Sequence, residues 1–367
     1  MVMKKNVLFA VLMCGFVPLW AASPYVSRVF EFVPAPGQFV NLLPVYDSTD
    51  NAEAMLAKVN DCLVGKANGT VLTLGAWGGY VVVGFDHTIA NVVDAYDFQI
   101  NGNAFANNAE PGVVMVSVDE NGNGLPDDTW YELAGSEFGK PATLNNYEVT
   151  YYRPSPEKEA ATGNIVDYIR WKDNRDSTGF VAKNTFHTQS YFPQWIAADS
   201  LVFKGTRLPN NGVKSITGSY TQLTSFAFGY ADNAPNNSEG AQFKIEWAVD
   251  SLGQAVQLAG IDFVKIYTGV LQDNGWTGEC STELSGVMDL HTPTYLPDYH
   301  TSSALIYSVG QQLIVENTIE EPIQIFTVSG VCVAQSPAVK QASFQIATPG
   351  VYLVKIGNAV QKVMMRW

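Results

Sequence analysis

The stretch Val118–Leu133, VDENGNGLPDDTWYEL, sets Asp119, Asn121 and Asn123 at alternate positions, follows them with Gly124, and then supplies Asp127, Asp128 and Glu132. Calcium takes roughly six to eight oxygen ligands, and a compact loop provides them by alternating short acids and amides around a glycine turn. These six side chains, with the Leu125 carbonyl beside them, are therefore the candidate ligands of a structural Ca2+. The loop departs from a helical calcium site, because the twelfth position, counting Asp119 as the first, is Trp130 where a bidentate Glu is required, and Glu132 follows two residues later. Val113–Val118 and Thr129–Leu133 read as strands on either side. The pattern places the loop at a β-hairpin tip, closer to the Asp-rich loops of thrombospondin type 3 repeats than to a calcium switch. The same letters also build a plain Asx turn, in which Asn and Gly tighten the bend.

Aromatic rings offer the second kind of chemistry, since an exposed ring stacks on a sugar face or a corrin-like ring. Trp77, Trp130, Tyr131, Trp171, Tyr191 and Phe192 stand among them. Trp195 in SYFPQW and Trp276 in QDNGWTG have loop-like surroundings and are the ligand-binding candidates. Catalytic signals are weaker. His87 follows Asp86, but a histidine at the end of a buried strand is more often a hydrogen-bonded structural residue. Neither His-Glu-x-x-His nor Gly-x-Ser-x-Gly occurs, and the acids are too numerous for a glycosidase pair to stand out, so no catalytic residue is assigned. In YADNAPNNSEG, Asp232 is a candidate for a second ion, against the plainer reading of a solvated loop.

The 367 residues carry a net charge of −14, which argues against nucleic acid or anionic membrane as partners. The 73 residues between Lys66 and Lys140 contain no Lys or Arg but ten acids, a local imbalance that a bound cation relieves. At the N-terminus, Lys4 and Lys5, an apolar run and Trp20-Ala21-Ala22 read as a signal peptide over 1–22, too short to span a bilayer. Met13 before Cys14 is bulky where a lipoprotein signal needs a small residue. Past the leader, Cys62, Cys280 and Cys332 remain. Export permits a Cys62–Cys280 disulfide, and scattered buried thiols are the equal alternative.

The elements that must position these residues are almost all strands. TVLTL, GYVVVGF, YDFQI, GVVMVSV, TWYEL, YEVTYY, SLVFKG, FAFGYA, QFKIEWAV and IDFVKIYTGV recur between Gly, Pro, Asn and Asp clusters. That spacing predicts an all-β domain, a large β-sandwich or jelly roll over 23–305, with one short helix near Asn51–Leu63 whose apolar positions are Ala54, Leu56, Ala57, Val59 and Leu63. Pro293–Ser303 reads as a linker or irregular loop, and QQLIVEN, PIQIFTV, VCVAQ, SFQIA and VYLVKIG as five strands of a small C-terminal β-sandwich over 306–367.

Ile323, Ile325 and Phe326 before Val328-Ser329-Gly330, then Pro349-Gly350-Val351-Tyr352-Leu353-Val354-Lys355-Ile356 and Lys362-Val363 near the end, resemble the sorting domain of type IX secretion substrates from Bacteroidetes. Gly330 and Pro349-Gly350 suit the tight turns such a domain needs. The run from Gly78 to His87, Asp97-Phe98, Gly102–Phe105, Glu110-Pro111-Gly112, the calcium loop and Glu132–Glu137, with Asp262–Ile266 and Gly278–Glu283, is similar to a family of secreted β-sandwich surface proteins of gut and oral Bacteroidetes. Some such proteins accompany outer-membrane uptake systems, including those for cobalamin. The resemblance implies a protein on the outer cell surface, handled by the type IX machinery, that binds a glycan or small nutrient, a cobamide included, without catalysis. The competing classes are a jelly-roll glycan-cleaving enzyme, which requires a groove with two facing carboxylates, and a purely structural or adhesive surface protein.

Overall fold

The computed structural model describes residues 22–215, 220–292, 304–328, 331–357 and 359–366. The leader up to Ala21, the stretch Pro293–Ser303 and the turn residue Gly330 lie outside them. The chain divides into two compact units, Ala22–Thr292 and a C-terminal unit from Pro293 onward. The reading from sequence drew that division near Leu305, but Ala304 already packs in the C-terminal core and Leu305 opens its first strand.

The larger unit is built on a six-stranded antiparallel sheet. In chain order its strands are Arg28–Val33 (β1), Tyr80–Ala90 (β2), Gly112–Ser117 (β3), Trp130–Leu133 (β4), then Ala248–Val249 (β9) and Gly260–Thr268 (β10), arranged β1-β2-β10-β3-β4-β9. A second antiparallel sheet of Leu144–Tyr152 (β5), Ile165–Asp173 (β6), Thr178–Asn184 (β7) and Ser200–Arg207 (β8) runs in the order β8-β5-β6-β7. The central strands read Val-Val-Val because they are covered on both faces. On one face Val81, Ile266 and Val114, and in the next row Val83, Val264 and Val116, lie side by side across β2, β10 and β3. A small sheet of Phe98–Asn101, Gln242–Phe243 and Gly286–Asp289 contributes Phe98, Ile100, Phe243 and Val287 to that same cluster. The opposite side meets the second sheet through Trp77, whose ring stands edge-on to Tyr147 at 5.0 Å and whose indole N–H donates to the Thr206 carbonyl.

The helix α1, Ala52–Leu63, completes the first cluster. Asn51 caps it, its side chain accepting the Ala54 amide at 2.9 Å, which satisfies one of the otherwise orphaned N–H groups of the first turn. Its buried face is Met55, Val59, Cys62 and Leu63, so Ala54 and Ala57 are not the apolar stripe that spacing suggested. No helix among the described residues is long and apolar enough to cross a membrane. Cys62 and Cys280 are separately buried as free thiols, and Cys332 is free and exposed.

FAFGYA forms no strand. The Asn233 side chain brackets Phe226 instead, accepting its amide and donating to its carbonyl, and so replaces a strand partner. Conversely, β1, β6 and β7 escaped the sequence pattern. In β6, IVDYIRWKD, four charged residues interrupt the apolar ones, as an alternating sheet with one wet face requires.

The C-terminal unit is one antiparallel sheet of five strands, Leu305–Val309 (β11), Gln312–Thr327 (β12), Cys332–Gln345 (β13), Gly350–Ile356 (β14) and Ala359–Met365 (β15). Four of the short strands expected here fuse into the long β12 and β13, with register shifts around Glu316–Ile323 that accommodate Pro322. Leu313, Val315, Ile323 and Ile325, from both halves of β12, share one core with Tyr352, Val354 and Ile356.

Candidate functional site

Asp119–Asp128 sits at the tip of the β3–β4 hairpin, beyond the pairing of Ser117 with Trp130. Asp119 accepts the amides of Asn123 at 3.0 Å and Gly124 at 2.8 Å, while Asn121 and Asn123 donate their side-chain amides to Asp127. Asp128 accepts the Glu120 amide, and the Asp119 amide donates to Asp262 on β10, which ties the loop to the central sheet. Five of the six candidate ligands therefore form one mutually bonded loop. Glu132 does not belong to it. Strand alternation turns Glu132 toward the second sheet, where it accepts the Thr206 hydroxyl at 2.6 Å, and burial pushes its carboxyl up to about 7. Among the described residues, no three His, Cys, Asp or Glu side chains come together as a metal-binding group, so a cation here would depend on the asparagine and carbonyl oxygens as well. The donor set is nonetheless all oxygen, as calcium prefers.

Trp195 and Trp276 part company. Trp195 is packed against the first core cluster, stacked on Phe32 with centroids 6.0 Å apart and tilted against Tyr46. Trp276 is 44% exposed at the head of the loop Asp273–Glu279. That loop turns tightly through Gly275 and Gly278, both at positive φ, and Asn274 and Gly278 close it with a 2.8 Å backbone bond. Phe186, 74% exposed just past the end of β7, stands edge-on to Trp276 at 5.6 Å, and Asn184 donates to the Trp276 carbonyl. Phe186 is invisible to the sequence pattern, because β7 itself was.

Both ends of the Trp276 loop line a cavity of about 80 Å³, walled by Trp171 and Phe180 and bounded below by Leu271. Its polar residues are Gln272, Asp273 and Glu279. Asp273 accepts the Gly275 amide, and burial raises its carboxyl above the usual range. Glu279 Oε1 accepts the Gln38 amide at 2.7 Å, whereas its Oε2 has no protein partner. Burial, with the charges of Glu283 and Asp273 adding to it, pushes Glu279 up to about 7. A second cavity, of about 360 Å³, opens between the sheets, where Lys265 lies 3.9 Å over the Tyr80 ring and burial lowers its ammonium.

A knot of acids lies behind Glu279 on the segment Gly278–Glu283. Asp232, held at φ 50, accepts the amides of Asn103, Ala104 and Glu283, so it fastens three loops instead of serving a solvent-facing ion. Burial raises it to about 8 against the pull of those three donors. Glu110 accepts the Ser281 amide and is raised well above its ordinary value, by burial first and then by Glu283 and Asp232. His87 bridges Asp86 at 2.7 Å and Asp289 at 2.8 Å, clamping β2 to the small sheet.

No family model matches the chain, and no curated protein matches it. Among solved structures, a Faecalibacterium prausnitzii β-glucuronidase aligns at 8% identity and a TM-score of 0.14, covering 75% of this chain and 47% of its own. A Ruminococcus gnavus β-glucuronidase aligns at 9% identity and a TM-score of 0.15, covering 77% of this chain and 47% of its own. The chain spans about half the length of either, and similarity at this level carries no argument about activity.

Proposed function

We propose that this is an exported cell-surface protein whose main unit binds a glycan or small nutrient without cleaving it. The observation that carries the reading is the Trp276–Phe186 pair, two exposed rings on and beside a loop whose ends line an acid-bearing cavity. Exposed large apolar rings grouped at a concave site are costly to solvate and mark binding surfaces. The leader read at 1–22 and the likeness of 306–367 to a type IX sorting domain support export. The hairpin loop serves as a calcium brace in this reading, with Asp119, Asn121, Asn123, Asp127 and Asp128 holding the ion and neutralising a tip that lacks any basic residue. The glycan-cleaving alternative rests on Glu110 and Glu283, both raised by burial, with Glu283 adding to the shift of Glu110, but Glu110 is engaged by the Ser281 amide and Glu283 by the Asn103 side chain.

Isothermal titration of the full chain against host glycans, dietary glycans and cobamides tests the reading. Saturable binding that Trp276→Ala and Phe186→Ala each weaken, with no product formed on prolonged incubation, is the expected result. Binding indifferent to both substitutions would discard the site, and product formation would favour the enzyme.

A further inference from the structure

The cavity beneath Trp276 contains more unmet polar capacity than a sugar hydroxyl needs. Glu279 lines it, is over nine-tenths buried and leaves Oε2 without a protein partner, and the equally buried Gln38 beside it leaves Oε1 unmet. They belong together. Gln38 gives its backbone amide to Glu279 and its side-chain amide to the Thr277 carbonyl, which turns Oε1 toward Gly278. Two glycines permit this approach, since a Cβ at Gly37 would lie 2.4 Å from Glu279 Oε1 and one at Gly278 2.6 Å from Gln38 Oε1. A buried polar atom left unmet costs about 1–3 kcal/mol, more if charged, so the Glu279 oxygen in the cavity wall is maintained for something that enters it.

The sign of that something follows from the neighbours. The charges acting on Glu279 are those of Glu283 and Asp273, both negative. The buried ammonium of Lys183 is committed to the Lys158 carbonyl and Glu159. The unpartnered Glu279 oxygen, the Asp273 carboxyl and the faces of Trp171 and Phe180 suit a cation that donates hydrogen bonds. We propose that the ligand of this site carries a primary ammonium group, which enters the cavity and is held by Glu279 while the rest of the ligand lies against Trp276. This deepens the binding function proposed above and rests on it. The acidic lining disfavours carboxylate and phosphate groups.

The test compares a 2-aminoethyl glycoside with its 2-hydroxyethyl counterpart on the full chain by isothermal titration, on whichever sugar binds in the broader panel or on glucose if none does. At pH 8 the amine is expected to bind at least about tenfold tighter, a difference near 1.4 kcal/mol. The advantage should vanish at pH 5, where Glu279 is protonated, and in Glu279→Gln, which presents an amide donor to the cavity. Trp276→Ala should weaken both compounds alike. Equal affinity for the two glycosides, or an amine advantage that survives Glu279→Gln, overturns the proposal while leaving the aromatic rim in place. If neither glycoside binds, the rim reading fails. Methylammonium then decides the ammonium site alone: a rise in melting temperature over sodium chloride of equal ionic strength, absent in Glu279→Gln, supports it, and no such rise overturns it.

Discussion

Thr206 on β8 donates its hydroxyl to Glu132 on β4 at 2.6 Å, a carboxylate bond that spans the two sheets of the main unit. The acid is raised to about 7 by burial, so the fold keeps a proton that the unfolded chain, with a glutamate near 4.3, has already released. Where the folded state binds more protons, stability falls as pH rises. Glu132 therefore destabilises the unit progressively from about pH 5 to pH 8, the reverse of ordinary acid denaturation. Glu132→Gln keeps an acceptor for Thr206 and removes the ionisation. Its expected effect is a gain of about 1–3 kcal/mol at pH 8 and little change at pH 5, read from urea unfolding at both values. A gain that is equal at the two pH values would show that ionisation is not the cause.

Asp232 makes the contrasting case, an acid the fold depends on. Its two oxygens accept three backbone amides from segments far apart in sequence, and Gly102 is glycine because a Cβ would lie 2.4 Å from Asp232 Oδ1. Asp232→Ala leaves those amides buried and unmet, and Gly102→Ala drives the carboxylate away. Each is expected to cost at least about 3 kcal/mol, with the alanine at 232 the worse of the two. Chemical denaturation measures it, and a loss under about 1 kcal/mol for Asp232→Ala would mean that water replaces the carboxylate easily.

The hairpin loop and Glu132 separate in a calcium titration. Calcium at millimolar concentration is expected to raise the melting temperature of the full chain, because an ion that binds the folded state alone stabilises it by mass action. Asp119→Asn and Asp127→Asn should each remove most of that rise. Glu132→Gln should leave it intact, since Glu132 sits within β4 and faces Thr206. Differential scanning calorimetry with calcium and with chelator distinguishes the cases, and an unchanged melting temperature in wild type would leave the loop as an Asx turn.

How much of this was legible in the sequence depended on how local the signal was. The hairpin was readable because Val113–Val118, Gly124 and the strand after it lie within some twenty residues. The error at Glu132 came from strand phase: once Trp130 pairs with Ser117, Glu132 pairs with Met115, two residues from the loop, and its side chain leaves on the inter-sheet face. The Glu279 cavity could not be read at all, because Gln38 and Glu279 are 241 residues apart and neither stands in a recognisable motif. Phe180 and Phe186 were lost with β7, whose charged and glycine positions dilute the alternation that reveals a strand.

The two tryptophans that seemed equivalent from their loop-like settings are predicted to fail differently when removed. Trp195 spends its ring on Phe32, Tyr46 and the first core cluster, so Trp195→Ala opens a void in packed structure and is expected to cost about 2–4 kcal/mol. It should leave ligand affinity unchanged once the protein is fully folded at the assay temperature. Trp276 is 44% exposed and its backbone, which Asn184 holds, survives truncation of the side chain. Trp276→Ala should therefore leave stability within about 0.5–1 kcal/mol of wild type. A lost stacking contact should weaken ligand binding by about tenfold, which is near 1.4 kcal/mol. Unfolding curves and titrations on the same two preparations make the comparison. If Trp276→Ala proves the more destabilising of the pair, its ring is part of the fold, and the binding surface must be sought at the larger cavity beside Lys265 and Tyr80.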